Sequence, residues 1–100
     1  MEKFNPTYGL EAIKADAAQG KMEITHSASV SAFALGLGTK EMLEIVQTIQ
    51  RSHFIKSMTA KADHTLWQDV YNVPSQVGLL YIKFTFGMIH QFKLLSFKEK

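Results

Sequence analysis

Residues 79–86 read LLYIKFTF, and their alternation decides the fold. Successive side chains of a strand face opposite sides of its sheet. Tyr81 and Lys83 therefore share one face of an otherwise apolar strand. Two further stretches repeat the theme, KSMTAKADHTLWQDVY at 56–71 and LLSFKEK at 94–100. Lys56, Gln68, Tyr81, Lys83 and Lys98 all fall in strand candidates where folding needs none of them. A merely solvated face would more often carry Thr, Ser or Glu. The pattern is that of a sheet face that holds a polyanion.

Outward from these stretches, a period of two after Arg51 predicts strands near 54–59, 66–71, 77–86 and 91–98. The links are AKADHT, the Pro74-containing NVPSQ and a tight turn near Gly87. Short links between consecutive strands favour an antiparallel meander. Parity places Leu94, Ser96 and Lys98 on one face of the last strand, with Leu95 and Phe97 on the other.

The front half is helical. Thr7 is the expected cap of a first helix with the stripe Leu10, Ile13 and Ala17, ending at Gly20. Met22 and Ile24 alternate in a short strand before His26. Ser27 is the expected cap of an Ala- and Ser-rich second helix that Gly36 stops. Thr39 opens a third, with Met42, Val46 and Ile49 on one side. Helices and sheet together predict an α+β fold in which the helices cover one face. One hundred residues support one domain, residues 1–100, with a single core.

Charge is divided between the halves. Residues 1–50 carry four lysines and six acids, and residues 51–100 seven bases and three acids, so −2 and +4 sum to the net +2. Eight of the 11 aromatics lie in the basic half, and cations interleaved with flat apolar rings suit single-stranded nucleic acid. Cysteine is absent, which excludes disulfides, thiolate zinc sites and a cysteine nucleophile. No secretory apolar run opens the chain and no stretch is long enough to span a bilayer, so a cytoplasmic protein is expected.

Familiar sites are missing. Histidines 26, 53, 64 and 90 show no zinc-ligand spacing. Gly36-Leu37-Gly38 has neither a third glycine nor a preceding strand. No serine occupies a nucleophile elbow. Asp63, Asp69 and Glu99 are too few to build a catalytic metal cluster in the basic half. No metal and no cofactor is expected.

KSMT at 56–59, DHTLWQDVY at 63–71, YIK at 81–83 and the terminal SFKEK resemble the MqsR toxins of bacterial toxin–antitoxin pairs. The opening Met1-Glu2-Lys3 and the order helix, Gly20, Ser27, GLG agree with that layout, so the resemblance covers nearly the whole chain. It implies a RelE-like fold and a ribosome-independent endoribonuclease that cuts mRNA at GC-containing sites. It also implies a cognate antitoxin with a zinc-binding domain and a helix-turn-helix domain. The family's catalytic residues fall on Lys56, Gln68, Tyr81 and Lys98. GMIHQFK at 87–93 departs from the family as a longer hairpin region.

The chemistry of those four residues fits. Metal-free RNA cleavage uses the ribose 2′-OH against its own phosphate, with cations for the developing charge and an acid for the leaving 5′-oxygen. Lys56 and Lys98 supply cations, Tyr81 is the candidate proton shuttle, and Gln68 can orient the 2′-OH or a phosphate oxygen. With reference pKa values of ~10.4 and ~10, neither Lys nor Tyr is a good base at neutral pH. Charge stabilisation is thus the expected role of at least one lysine. Lys83 is a candidate phosphate contact. Asp63 and His64 sit in a loop that could shape the substrate cleft, although turn chemistry explains Asp63 as well. Trp67 reads as core. A non-catalytic RNA-binding module and an antitoxin-binding interaction protein fit the same basic face and stay open at this point.

Overall fold

The computed structural model describes residues 1–88 and 91–100. The elements run β1 (Glu2–Lys3), α1 (Leu10–Ala18), β2 (Glu23–Ile24), α2 (His26–Ala34), α3 (Thr39–Gln47), a 3-10 turn (Arg51–His53), β3 (Phe54–Thr59), β4 (Trp67–Ser75), β5 (Gly78–Phe86) and β6 (Phe92–Glu99). They form one sheet of order β1-β3-β4-β5-β6-β2. The antiparallel meander of β3 to β6 is as the sequence predicts, and the fold is α+β. Of its edges, the short strand expected around Met22 and Ile24 is β2, whereas β1 and the pairing of both edges are not foreseen. β1 pairs antiparallel with β3, and β2 pairs parallel with β6.

All three helices lie on one face. Ile13 and Ala17 of α1, Ala28 and Ala32 of α2, and Met42, Ile45 and Val46 of α3 pack with Tyr71, Val73, Leu80, Ile82, Phe84, Leu94 and Phe97 of the sheet. At the usual ~1.5–3 kcal/mol for each large apolar side chain buried, this layer supplies most of the drive to fold. In α2 the two alanines do the burying, letting the helix lie close to β6, while Phe33 points to solvent.

The helix starts differ from expectation. Gly9, not Thr7, precedes α1, because Thr7 is occupied elsewhere: its hydroxyl meets Ser57 Oγ at 2.6 Å. Thr25, not Ser27, caps α2. Its Oγ1 accepts from Ala28 N at 3.2 Å while donating to Leu95 O at 3.1 Å. The parallel β2–β6 pairing ends at Ile24, and that fixes where the helix begins. At α3, Glu41 reaches back to Gly38 N at 2.8 Å. Gly20 and Gly36 stop their helices at φ +69 and +82, a region costly for any residue with a Cβ.

Pro74 belongs to β4, not to a link. β3 covers β4 only from Trp67 to Tyr71, so at Pro74 the missing N–H falls on an uncovered edge. The reversal is Ser75 to Gly78, closed by Ser75 Oγ to Gly78 O at 2.7 Å. The longer hairpin region at 87–93 lies partly outside the described residues, as does His90. What is described of it is a closing bond from Gly87 N to Gln91 O at 2.8 Å.

Two β-bulges set which side chains face away from the helices. In β3, Phe54 pairs with Tyr71 and Lys56 with Val70, leaving Ile55 as the extra residue. In β6, Ser96 pairs with Lys83 and Leu94 with Phe84, leaving Leu95 extra. Simple alternation would keep Phe54 with Lys56, and Leu94 with Ser96 and Lys98. The bulges separate them: Phe54 and Leu94 join the core, and the polar residues take the other face. The expected parity of Leu94 is corrected accordingly.

Candidate active site

The face without helices carries one proposed residue from each of four adjacent strands: Lys56 from β3, Gln68 from β4, Tyr81 from β5 and Lys98 from β6. Cross-strand partners share a face. The register therefore gives a middle row of Lys56, Val70, Lys83 and Ser96, and beside it a row of Asn72, Tyr81 and Lys98. Gln68 lies on the opposite flank, one row beyond Val70 and paired with Met58. Same-face residues along a strand are about 6.6 Å apart, so Gln68 and Tyr81 stand roughly 13 Å apart with the lysine row between them.

Val70 is 1% exposed although no helix covers this face. Its direct neighbours are Lys56 and Lys83, and aliphatic lysine stems shield such a floor while leaving the ammonium groups above it. A dry floor strengthens any charge interaction over it.

The lysines are not equivalent. Lys56 Nζ donates to Glu2 Oε2 at 2.7 Å, and that contact raises the lysine's pKa while lowering the carboxylate's. Lys83, half-buried, is shifted the other way: burial lowers it and the Lys98 charge adds to the effect. Lys98 is exposed, its Nζ 5.3 Å from the centre of the Tyr81 ring. Tyr81, Lys98, Glu99 and Lys100 line an open depression of about 480 Å³.

β4 is clamped where it presents Gln68. The carbonyl of Trp67 accepts from Tyr8 Oη at 2.9 Å and from Thr85 Oγ1 at 2.8 Å. On the other side of Gln68, Asp69 is fully buried and accepts from the backbone N–H of Thr7 at 3.1 and 3.0 Å and of Tyr8 at 2.8 Å. Trp67 is half-buried beneath Lys3, whose Nζ lies 4.3 Å from the ring centre.

Asp63 and His64 are not brought onto these rows. They are exposed in the loop between β3 and β4, where Asp63 Oδ1 accepts from Thr65 N at 2.9 Å and from its hydroxyl at 2.6 Å. Those bonds lower the Asp63 pKa and identify it as a turn lock. Sequence reasoning missed Glu2 and Asp69. Each acts across more than fifty residues of chain, with no local pattern to announce the pairing. Among the described residues no three of His, Asp and Glu gather closely enough to hold a metal ion, and no helix is long and apolar enough to cross a membrane.

Residues 5–99 match the family described as motility quorum-sensing regulator, toxin of MqsA. The chain belongs to this family. It is also 40% identical, over 100 residues and the whole of both chains, to the mRNA interferase toxin MqsR of Escherichia coli (strain K12). The stretches KSMT, DHTLWQDVY, YIK and SFKEK place Lys56 on β3, Gln68 on β4, Tyr81 on β5 and Lys98 on β6.

Proposed function

We propose that the chain is an endoribonuclease toxin of the mRNA-interferase kind, cutting single-stranded mRNA on the open sheet face without a metal ion. The observation that supports it most is the placement of Lys56 and Lys83 in one row, with Gln68 on one flank and Tyr81 with Lys98 on the other. In-line displacement at phosphorus needs the entering and leaving oxygens on opposite sides. A scissile phosphate over Val70 meets that demand. Lys56 and Lys83 face its non-bridging oxygens, Gln68 orients the 2′-OH, and Tyr81 reaches the 5′-oxygen.

The bonds balance as follows. The 2′-oxygen passes its proton to water and bonds to phosphorus, the P–O5′ bond breaks as the 5′-oxygen takes a proton from Tyr81, and the tyrosinate recovers a proton from water. The products are a 2′,3′-cyclic phosphate and a 5′-hydroxyl. Lysine ammonium groups fixed over an apolar floor stabilise the charge that develops, commonly the largest single contribution to such catalysis. Glu2 holds Lys56 as a cation, so this lysine stabilises charge and does not serve as the base.

The preference for GC-containing sites rests on the family motifs, as does restraint by a cognate antitoxin with zinc-binding and helix-turn-helix domains. The site of action is cytoplasmic, where message and antitoxin are found together. Incubating the purified protein with a GC-containing RNA in EDTA tests the reading. Cutting, lost by about 10²–10³ in Tyr81→Phe and Gln68→Ala, supports it. Retention without cutting makes the chain a binding module, and neither result makes it an interaction protein.

A further inference from the structure

We infer that Glu2 is a positioning residue for Lys56, so that the N-terminal strand completes the cleavage site; this rests on the nuclease reading above. The register pairs Glu2 with Met58 and Lys3 with Ser57. Met58 shares the open face with Gln68, and Ser57 shares the core face with Asp69. Glu2 therefore rises on the same face as the proposed chemistry. There its Oε2 takes one of the three Nζ–H donors of Lys56 at 2.7 Å. The other two remain for phosphate.

The backbone holds this strand independently of the Glu2 side chain. Thr59 N donates to Met1 O at 2.9 Å, and the Met1 amino group donates to Thr59 Oγ1 at 3.1 Å. Lys3 adds its contact over the Trp67 ring at 4.3 Å. A carboxylate on a face that receives RNA repels phosphate, so for binding alone Glu2 is unfavourable. For catalysis it is useful: a lysine stem with four rotatable bonds is fixed in one direction, and displacement of its ammonium by a small distance is costly in rate.

These opposed effects give a test that a merely structural role would not reproduce. Single-turnover cleavage of a GC-containing RNA in EDTA is measured for the parent, Glu2→Gln, Lys56→Ala and the double variant. In Glu2→Gln the saturating rate should fall at least about tenfold. The half-saturating RNA concentration should not rise, because one repelling charge has gone. In the Lys56→Ala background the same change should alter the rate by less than about twofold, since the two residues act as one unit.

A Glu2→Gln protein with the parent's rate, or one losing the same factor without Lys56, overturns the inference. A parent that does not cut removes the nuclease reading itself, whereas Lys56→Ala cutting at the parent rate leaves that reading standing and overturns the inference. A second readout does not depend on activity. The 13Cε resonance of Lys56 should titrate at lower pH in Glu2→Gln than in the parent. Besides Glu2, the charged or titratable group acting on Lys56 is Tyr81 of β5, and β4 offers the uncharged Gln68 and Val70. An unmoved Lys56 titration overturns the pairing.

Discussion

Replacing Asp69 by Asn should unfold this domain more readily than any change on the open face. Asp69 is 0% exposed and its carboxylate accepts Thr7 N at 3.1 and 3.0 Å and Tyr8 N at 2.8 Å. Both donors come from the segment joining β1 to α1, so this one side chain ties the start of the chain to the middle of the sheet. Asparagine keeps one acceptor oxygen and turns an NH2 toward a backbone N–H. A hydrogen bond to a charged group contributes ~1.5–3 kcal/mol, and a stranded buried donor costs ~1–3 kcal/mol, so a loss of about 3 kcal/mol is expected. For a domain of this size that is roughly 12–24 °C in Tm. Urea unfolding followed by circular dichroism checks it, with the slope unchanged so that the midpoint shift reads as stability. Cleavage per folded molecule should persist, because Asp69 points into the core. A loss below about 1 kcal/mol would refute the account of this tether.

On the open face, Lys98→Ala should cost at least about 10²-fold in cleavage, whereas Lys100→Ala should stay near the parent rate. Point substitution is the cleaner assay: deleting 98–100 would also remove the Tyr81–Lys98 and Leu80–Glu99 pairings and the bond from Lys100 N to Leu79 O at 2.9 Å. Lys83→Met should raise Tm at neutral pH while weakening RNA binding and lowering the salt slope by about 0.7. The sign follows from linkage. The folded protein holds the Lys83 pKa below its ordinary 10.5, so the ammonium is penalised in the fold at every pH where it stays charged. The advantage of Lys83→Met should therefore shrink as pH rises through the depressed value and vanish above 10.5, which paired melts across pH would show.

The four central strands are legible because β3 to β6 alternate and short polar links separate them. Pro74 misleads, since a proline inside a strand looks like a break until the absence of a β3 partner beside it is known. The edge strands are two residues each: β2 is legible in the alternation of Met22 and Ile24, but β1 shows no periodicity and neither edge announces its pairing. The two bulges have no signature either: nothing local distinguishes Ile55 or Leu95 as the unpaired residue, yet they decide that Lys56 and Leu94 face opposite ways. The proposed site residues Lys56, Gln68, Tyr81 and Lys98 were readable from motif resemblance, and the proposed Lys83 from parity with Tyr81. Glu2 and Asp69 were not, because their partners are 54 and 62 residues away in sequence.

The central claim is that side chains on the open face, in place of a metal, drive attack by the ribose 2′-OH. The most direct measurement compares two RNAs in EDTA, one all-ribose and one with a single 2′-deoxy sugar on the 5′ side of the cut, and identifies the product ends by mass spectrometry. The account predicts that the all-ribose strand yields a 2′,3′-cyclic phosphate and a 5′-hydroxyl, and that the deoxy strand is not cut there. Cleavage of the deoxy strand, 5′-phosphate ends, or activity that returns only when magnesium is added would contradict it.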